Sequence, residues 1–303
     1  DFKGDSWAIG GELVANVYQH RDWFVDGYAG ARWENIGVEA LLNNSQTNKT
    51  RDNFFIASVG SRLEHVTDKE ATFVDLGFEF DLPDVADTDP DKVANGFQRN
   101  DADYHWLTFQ WDISHSFYLD PIIMPSRWRN MDLSDPDASP TLAHELATSF
   151  RGQYAFGDRL IPNFEQVAGG MYTVRGYPES IAAGDSVLVG SLEYRFHLPQ
   201  ALGFSDTPGE LFGKTFRYKP QAPYGRADWD LVLKGFFDAG RTIISSPQPG
   251  EEDQTLLGTG VGFEFLYRRN LSIRVDWGVA LEEIENEVSA GSNRFHISAT
   301  ILF

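Results

Sequence analysis

The chain has 303 residues, a net charge of −20 and no cysteine, with 42% hydrophobic and 14% aromatic residues. That balance excludes a phosphate-gripping nucleic-acid binder, a thiolate metal site and a disulfide framework. No stretch approaches the roughly 20 apolar residues of a membrane helix, which leaves a transmembrane β-barrel, whose strands hide their lipid face in alternation.

Apolar and polar residues alternate with period 2 almost throughout, and no amphipathic helical run, internal repeat or linker interrupts them. Trp7, Ile9, Leu13, Ala15 and Val17 share a face opposite Glu12 and Asn16. The next strands run from Trp23 to Trp33 and from Ile36 to Leu42, with a turn predicted near Glu34 and Asn35. Three more follow on Phe55 to Leu63, Thr72 to Phe80 and Leu107 to Ile113. Leu142 to Phe156 alternates next, and a shorter strand is predicted over 159–167. Beyond the glycine-rich stretch at 169–186, Leu188 to Leu198 opposes Glu193, Arg195 and His197. Leu231, Leu233 and Phe237 oppose Asp230, Lys234 and Asp238. Val261, Phe263, Phe265 and Tyr267 oppose Gly258, Gly260, Gly262 and Glu264. Ile273 to Val279 opposes Arg274, Asp276 and Gly278; Phe295 to Phe303 opposes His296 and Thr300.

The pattern yields about thirteen strands, mostly ~9–15 residues long, which suits tilted membrane strands better than globular ones. The expected fold is all-β: a transmembrane antiparallel β-barrel over 1–303, of roughly sixteen strands in the intact protein. Charges on the second face suit a wet lumen rather than a packed core. Trp7, Trp23, Trp33, Trp106 and Trp229 are placed near strand ends, as an interfacial girdle. With the C-terminus in the periplasm, strand counting places 268–270 and Gly157-Asp158 in periplasmic turns. It places 119–139, 241–254, 283–292 and the glycine stretch outside, and the long segments 83–101 and 199–227 on the periplasmic side. It also predicts an odd number of strands ahead of Asp1.

One stretch is not explained by alternation. Gly169-Gly170-Met171-Tyr172-Thr173-Val174-Arg175-Gly176-Tyr177 holds one arginine between valine and glycine. A turn has no need of that arginine, whose planar fork suits a carboxylate. The Val174-Arg175-Gly176-Tyr177 motif resembles the loop-six signature of the two-partner secretion transporters (haemolysin activator/filamentous haemagglutinin type) and their barrel-assembly relatives. Gly235-Phe236-Phe237-Asp238-Ala239-Gly240 is similar to the inner-wall motif of that superfamily, and Glu193-Tyr194-Arg195 to its strand after the loop. The lead-in Arg159-Leu160-Ile161-Pro162 looks like the superfamily's as well. The terminal Phe303, with Ile301 and Phe295 on the same apolar face, resembles the C-terminal assembly signal of bacterial outer-membrane barrels.

The resemblance implies a loop at 169–186 folded into the barrel, with Arg175 paired to Asp238 as a latch. Phasing alone also puts Asp238 on the luminal face with Asp230 and Lys234. Gly169, Gly170, Val174, Gly176 and Tyr177 would form the loop motif. Phe236, Gly240 and Glu193 would belong to the inner wall, and Gly258, Gly260 and Gly262 would leave room for the loop. In that superfamily, polypeptide-transport-associated domains and a plug helix precede the barrel. The resemblance implies an outer-membrane translocator of a Gram-negative envelope that exports an unfolded partner polypeptide. Alternatives are an insertase acting on nascent outer-membrane barrels and a structural anchor holding envelope partners through long periplasmic segments; crosslinking and co-purification separate them.

No chemistry is expected. Gly258-Thr259-Gly260-Val261-Gly262 has the wrong spacing for a dinucleotide loop, and no helix follows. His144-Glu145 lacks the second histidine of a zinc helix. Asp87, Asp89 and Asp91 lack the glycine and closing glutamate of a calcium loop and read as surface acid. No Gly-x-Ser-x-Gly elbow occurs. The expectation is therefore no catalytic residue, metal or cofactor. The partners expected are a polypeptide substrate and the lipid bilayer, with no nucleic acid.

Overall fold

The structure is a computed structural model that describes residues 2–42, 46–129, 141–222, 224–268 and 270–302. Its strands, in chain order, are β1 (Phe2–His20), β2 (Trp23–Leu42), β3 (Gln46–Val66), β4 (Glu70–Asp81), β5 (Leu107–Tyr118), β6 (His144–Tyr154), β7 (Gln166–Ala168), β8 (Ala182–Gly184), β9 (Ser186–His197), β10 (Gly209–Leu211), β11 (Lys214–Phe216), β12 (Trp229–Ile243), β13 (Gln254–Tyr267), β14 (Leu271–Ala280) and β15 (Asn293–Ile301). Eleven of them form one antiparallel sheet in the order β1-β2-β3-β4-β5-β6-β9-β12-β13-β14-β15. The pairs β7–β8 and β10–β11 are separate small hairpins.

The sheet is inside-out relative to a water-soluble protein. Leu192, Leu233, Phe237, Val261, Phe263, Trp277, Phe295 and Ile297 are exposed on one face. Gln153, Glu193, Lys234, Asp238, Thr242, Asp276 and His296 are buried on the other. Soluble proteins bury the first set and expose the second; a membrane barrel does the reverse. The polar face is knitted by ion pairs between neighbouring strands, as in Arg62–Asp75 at 3.0 Å, and across one intervening strand, as in Arg32–Glu79 at 2.5 Å and Lys234–Asp276 at 2.8 Å.

The sheet has eleven strands rather than about thirteen. Residues 23–42 form a single strand, because β2 pairs continuously with β3 from Trp23↔His65 to Leu42↔Gln46. Glu34 and Asn35 therefore mark no turn; Asn35 donates from Nδ2 to Asn53 Oδ1 at 2.8 Å across the ladder. Trp33 lies in mid-strand as a result. The second missing strand is 159–167, which is a loop apart from the start of β7. Pro162 offers no ladder donor, and Leu160 and Ile161 are buried in an apolar cluster instead.

Removing the strand at 159–167 reverses the sidedness predicted for the connections from 43 to 158. Strand alternation puts 82–106, 155–185, 244–253 and 281–292 at one end of the sheet, here the loop end. Residues 21–22, 67–69, 119–129, 141–143, 198–222, 224–228, 268 and 270 lie at the other, the turn end. Gly157-Asp158 and 83–101 thus sit beside the glycine stretch, and 119–129 sits opposite it. Only 198–228, of the two long segments first assigned to the turn end, belongs there.

At the loop end, segment 82–106 folds onto the polar face. Its helix Pro90–Gly96 is capped by Asp89, whose Oδ1 accepts from the backbone of Asp91 at 3.0 Å. Asp89 is thus an N-cap. Val93, Phe97 and Trp106 pack on Ile36, Phe54, Ile56, Leu160 and Ile161. Trp106 therefore belongs to this cluster and not to a girdle, whereas Trp7 and Trp23 are exposed. Ile36, Phe54 and Ile56 share strand parity with Arg32, Ser58 and Arg62, so the cluster covers the loop-end part of the polar face. Phe303 lies outside the described residues; Phe295 and Ile301 are exposed on the apolar face.

Phe237→Arg puts a charge in the middle of the apolar exposed face and is expected to cost about 2–4 kcal/mol of stability in lipid vesicles, as for midplane lipid-facing sites. Urea titration of the vesicle-inserted protein measures this, and an unchanged midpoint would mean that the face is solvated.

Candidate functional site

The glycine stretch folds back onto the polar face. Gly169 and Gly170 adopt φ of 107° and 101°, a region that disfavours side chains. Gly170 donates to the Val174 carbonyl at 3.1 Å, closing a tight turn. The Met171 amide donates to Glu179 Oε1 at 2.8 Å, which joins the two limbs of the loop. The bend delivers Val174, Arg175, Gly176 and Tyr177 to the wall formed by β9, β12, β13 and β14; all four are buried.

Arg175 is the centre of the site. Its Nε donates to Asp238 Oδ2 at 2.7 Å and its Nη2 to Asp238 Oδ1 at 2.8 Å, the fork-to-carboxylate geometry. The backbone amide of Arg175 also donates to Asp238 Oδ2, at 3.0 Å. Nη1 reaches Glu193 Oε2 at 2.6 Å and Asp276 Oδ2 at 3.3 Å. The guanidinium carbon lies 3.4 Å from the centre of the Phe236 ring, a cation–π contact. Arg175 is 3% exposed, and Asp238 and Asp276 are 0% exposed. Such a charge is tolerated away from water only because its donors are matched.

The carboxylates are themselves held in place. Ser191 Oγ donates to Asp238 Oδ1 at 2.6 Å. Arg195 Nε meets the other oxygen of Glu193 at 2.6 Å. Lys234 and Arg274 close on Asp276 at 2.8 and 2.6 Å. Cross-strand register explains the convergence: Asp238 faces Ser191 and Gly258, Lys234 faces Arg195 and Gly262, and Asp276 faces Gly262 and His296.

The wall glycines provide the space. A Cβ on Gly258 would stand 2.0 Å from the Arg175 carbonyl oxygen, and one on Gly240 would stand 2.7 Å from Val174. On Gly262 it would strike Asp276 Oδ1 at 2.1 Å, and on Gly260 the Trp277 carbonyl at 2.0 Å with the Phe236 ring behind it. Gly176 has φ of 100°, and its Cβ would meet the Val279 backbone at 2.7 Å. The Tyr177 hydroxyl, buried, donates to Glu282 O at 2.7 Å and lies 3.1 Å from Leu257 O; it accepts from the Leu257 and Glu282 amides at 3.2 Å.

The residues proposed from sequence for loop and wall thus meet in one place. Three others join them without having been singled out. Asp276 is a second carboxylate for Arg175, His296 accepts from the Gly176 amide at 3.2 Å, and Gly278 lies under the loop backbone. All three were phased to the polar face. Their link to the loop shows only in the strand register, which a sequence pattern does not contain.

A second ionic cluster ties the loop's flank to the loop-end segment. Arg99 donates from Nη1 and Nη2 to Asp185 at 2.5 and 2.7 Å. Asp185 also accepts from the amides of Leu160 at 2.6 Å and Ser245 at 2.7 Å. Arg159 makes a forked pair with Glu251 at 2.8 and 2.7 Å. The Arg159 guanidinium holds the Glu251 carboxyl down to about 2, well below its ordinary 4.5. Burial raises Glu165, against the pull of Arg99. Among the described residues no group of His, Cys, Asp and Glu has a metal-binding arrangement.

A carboxylate whose folded pKa is depressed stabilises the fold above its unfolded pKa. That contribution is expected to be complete above about pH 4.5 and to fade as the pH falls towards about 2. Melting curves of wild type and Glu251→Gln should therefore differ at pH 7 and converge in acid. A separation that does not change with pH would contradict the ion pair. Independently, Gly176→Ala combines backbone strain with a backbone clash, so it should expose 169–186 to limited proteolysis while the sheet stays intact.

No protein-family model matches the chain, and no curated protein matches it. Solved structures do. CdiB from Escherichia coli superposes with a TM-score of 0.68 at 14% identity, covering 99% of this chain and 46% of that one. CdiB from Acinetobacter baumannii superposes with a TM-score of 0.61 at 13% identity, covering 99% of this chain and 42% of that one. The chain therefore spans less than half the length of either protein. At these identities the likeness is one of fold: the chain has a transmembrane β-barrel fold of the CdiB type.

Proposed function

We propose that the chain is the barrel portion of an outer-membrane polypeptide translocator of a Gram-negative envelope, exporting an unfolded partner protein. The observation that carries this reading is the buried Arg175 fork on Asp238, which holds a loop against a polar, ion-paired wall. A barrel that served only as an anchor would have no need of a buried charge on a folded-in loop. The CdiB proteins, whose fold this chain shares, are two-partner secretion transporters, which supports the same reading.

The mechanism involves no bond making. An extended polypeptide carries unpaired amides and carbonyls that need partners wherever water is scarce. The wall around Arg175 offers hydroxyls and charges: Ser114, Ser149, Thr148, His115, Arg151 and Arg274 line a cavity of about 310 Å³ beside the loop. In the resting state the latch keeps the loop across this surface. Moving the loop requires Arg175, Asp238 and Glu193 to exchange one another for water or for groups on the passing chain. Because each is already paired, release is a swap of partners rather than the creation of bare buried charge. The anchor reading is weakened by the corrected topology, which leaves 198–228 as the one of its two long segments at the turn end.

Arg175→Ala and Asp238→Ala each strand a buried charge, at a cost on the order of 3–5 kcal/mol. Both are expected to abolish secretion of the partner while heat-modifiable, membrane-inserted barrel persists on gels. Wild-type secretion by either variant would overturn the latch. Photocrosslinkers on Tyr172 should capture the exported polypeptide; capture of a nascent barrel protein instead would make the chain an insertase.

A further inference from the structure

We propose that the hairpin β10–β11 is a foot that rests on the membrane, inserting Phe212 into the phospholipid headgroup layer at the turn end of the barrel. The proposal rests on reading the sheet as membrane-spanning.

The hairpin belongs to the 198–228 connection, and two features of its tip stand out. Phe212 and Gly213 form the two-residue turn between Leu211 and Lys214, with φ of 51° and 71°. A turn with both φ positive favours Asn-Gly or Gly-Gly, and a bulky side chain at its first position is strained. The Phe212 side chain gains no packing within the chain in return, being 94% exposed, against 82% for the next most exposed large apolar side chain, Leu13. An apolar ring kept in a strained position and facing outward points to something outside the chain.

The base of the hairpin shows which surface it follows. Phe216, buried, stacks on Tyr267 at 5.8 Å between ring centres. Tyr267 is on the apolar exposed face of β13, in phase with Val261 and Phe263. Phe216 also meets Tyr218 at 4.7 Å, and Trp229 Nε1 donates to the Tyr218 carbonyl at 3.0 Å. Trp229 pairs with Tyr267 across the ladder at the turn-end limit of that face. The hairpin is thus packed on the outside of the sheet, continuous with the apolar face and at its rim. Aromatic residues gather at such a rim in membrane proteins.

Charge points to the same occupant. Lys214 is exposed beside the tip, and Lys219 and Arg268 lie close behind it. Arg268 donates to the Thr215 carbonyl at 2.9 Å and lies over the Phe216 ring at 5.6 Å, which fixes its cation at the base of the foot. Arg217 is paired with Asp228 at 2.7 Å, and Glu210 is the one carboxylate within the hairpin. Among the described residues no carboxylate is within ion-pair distance of Lys214 or Arg268. Asp228 is the carboxylate that feels Arg268, and it is already forked by Arg217; in a chain of net charge −20, an aromatic tip flanked by such an excess of cations is unusual, and it fits anionic phosphates above an acyl boundary.

The absence of cysteine makes the test clean. Phe212→Cys and Phe237→Cys are each labelled with an environment-sensitive fluorophore in this 303-residue chain. They are reconstituted in phosphatidylethanolamine–phosphatidylglycerol vesicles carrying brominated lipids of graded depth. Both positions are exposed, so neither label displaces a core contact. The expected result is strongest quenching of the Phe237 position by deep bromines, and of the Phe212 position by bromines about 5–10 Å inside the headgroup boundary. Quenching at 237 with none at 212 overturns the foot and leaves the barrel intact. A blue-shifted but unquenched label at 212 also overturns it, with a protein surface as the occupant. Absence of quenching at both positions overturns the membrane-spanning reading itself.

Discussion

The structure depends on keeping one guanidinium out of water. Arg175 sits at the tip of a loop whose Val174 and Tyr177 are buried on either side of it, and the cation sets the polar requirements of that position. Its five donors meet Asp238, Glu193, Asp276 and Ser191, contributed by three different strands. Those strands can converge on one point only if their register is fixed. The charges also demand a second set of partners: Arg195 for Glu193, and Lys234 with Arg274 for Asp276. A network of this kind is costly when incomplete and specific when complete. It selects one position for the loop, and the loop's Val174, Tyr177 and Ala182 pack there in an apolar cluster with Val187, Val189 and Leu256.

Space is the complementary constraint. The loop backbone passes so close to the wall that β-carbons on Gly258 and Gly278 would overlap it. A strand with glycine at alternate positions is intrinsically weak, and β13 carries three such positions in Gly258, Gly260 and Gly262. Its pairing with β12 and β14 along nearly its whole length offsets that weakness. The glycines are therefore explained by the loop and by their inward neighbours rather than by turn geometry, which separates them from Gly169 and Gly170.

The fold was legible because its main signal is local. Alternation distinguishes the two faces at every strand, and the reversal of exposure relative to a soluble sheet follows from the same pattern. The partner of Arg175 was named by the resemblance, and parity added only that Asp238 lies on the polar face with Asp230 and Lys234. Two regions misled the pattern. In 159–167, Leu160 and Ile161 face an apolar cluster over the end of the polar face, so their spacing mimics a strand; Pro162 was the contrary sign. In β2, polar residues at 34–35 resembled a turn because the strand runs beyond the apolar band, where either face can carry them. The strand at 159–167 then propagated its error, since one extra strand exchanges the ends of everything before it. The Arg99–Asp185 pair spans 86 residues and could not have been read without the topology.

The central claim is that the Arg175–Asp238 contact holds the loop on the wall. The most direct measurement uses spin labels at Tyr172→Cys on the loop and Asp112→Cys on β5, in a chain without other cysteines, with distances read by electron–electron resonance in lipid nanodiscs. A single narrow distance is predicted for the otherwise unaltered protein, and a broad distribution once Asp238→Asn is added. An unchanged narrow distance in the Asp238→Asn background would contradict the account.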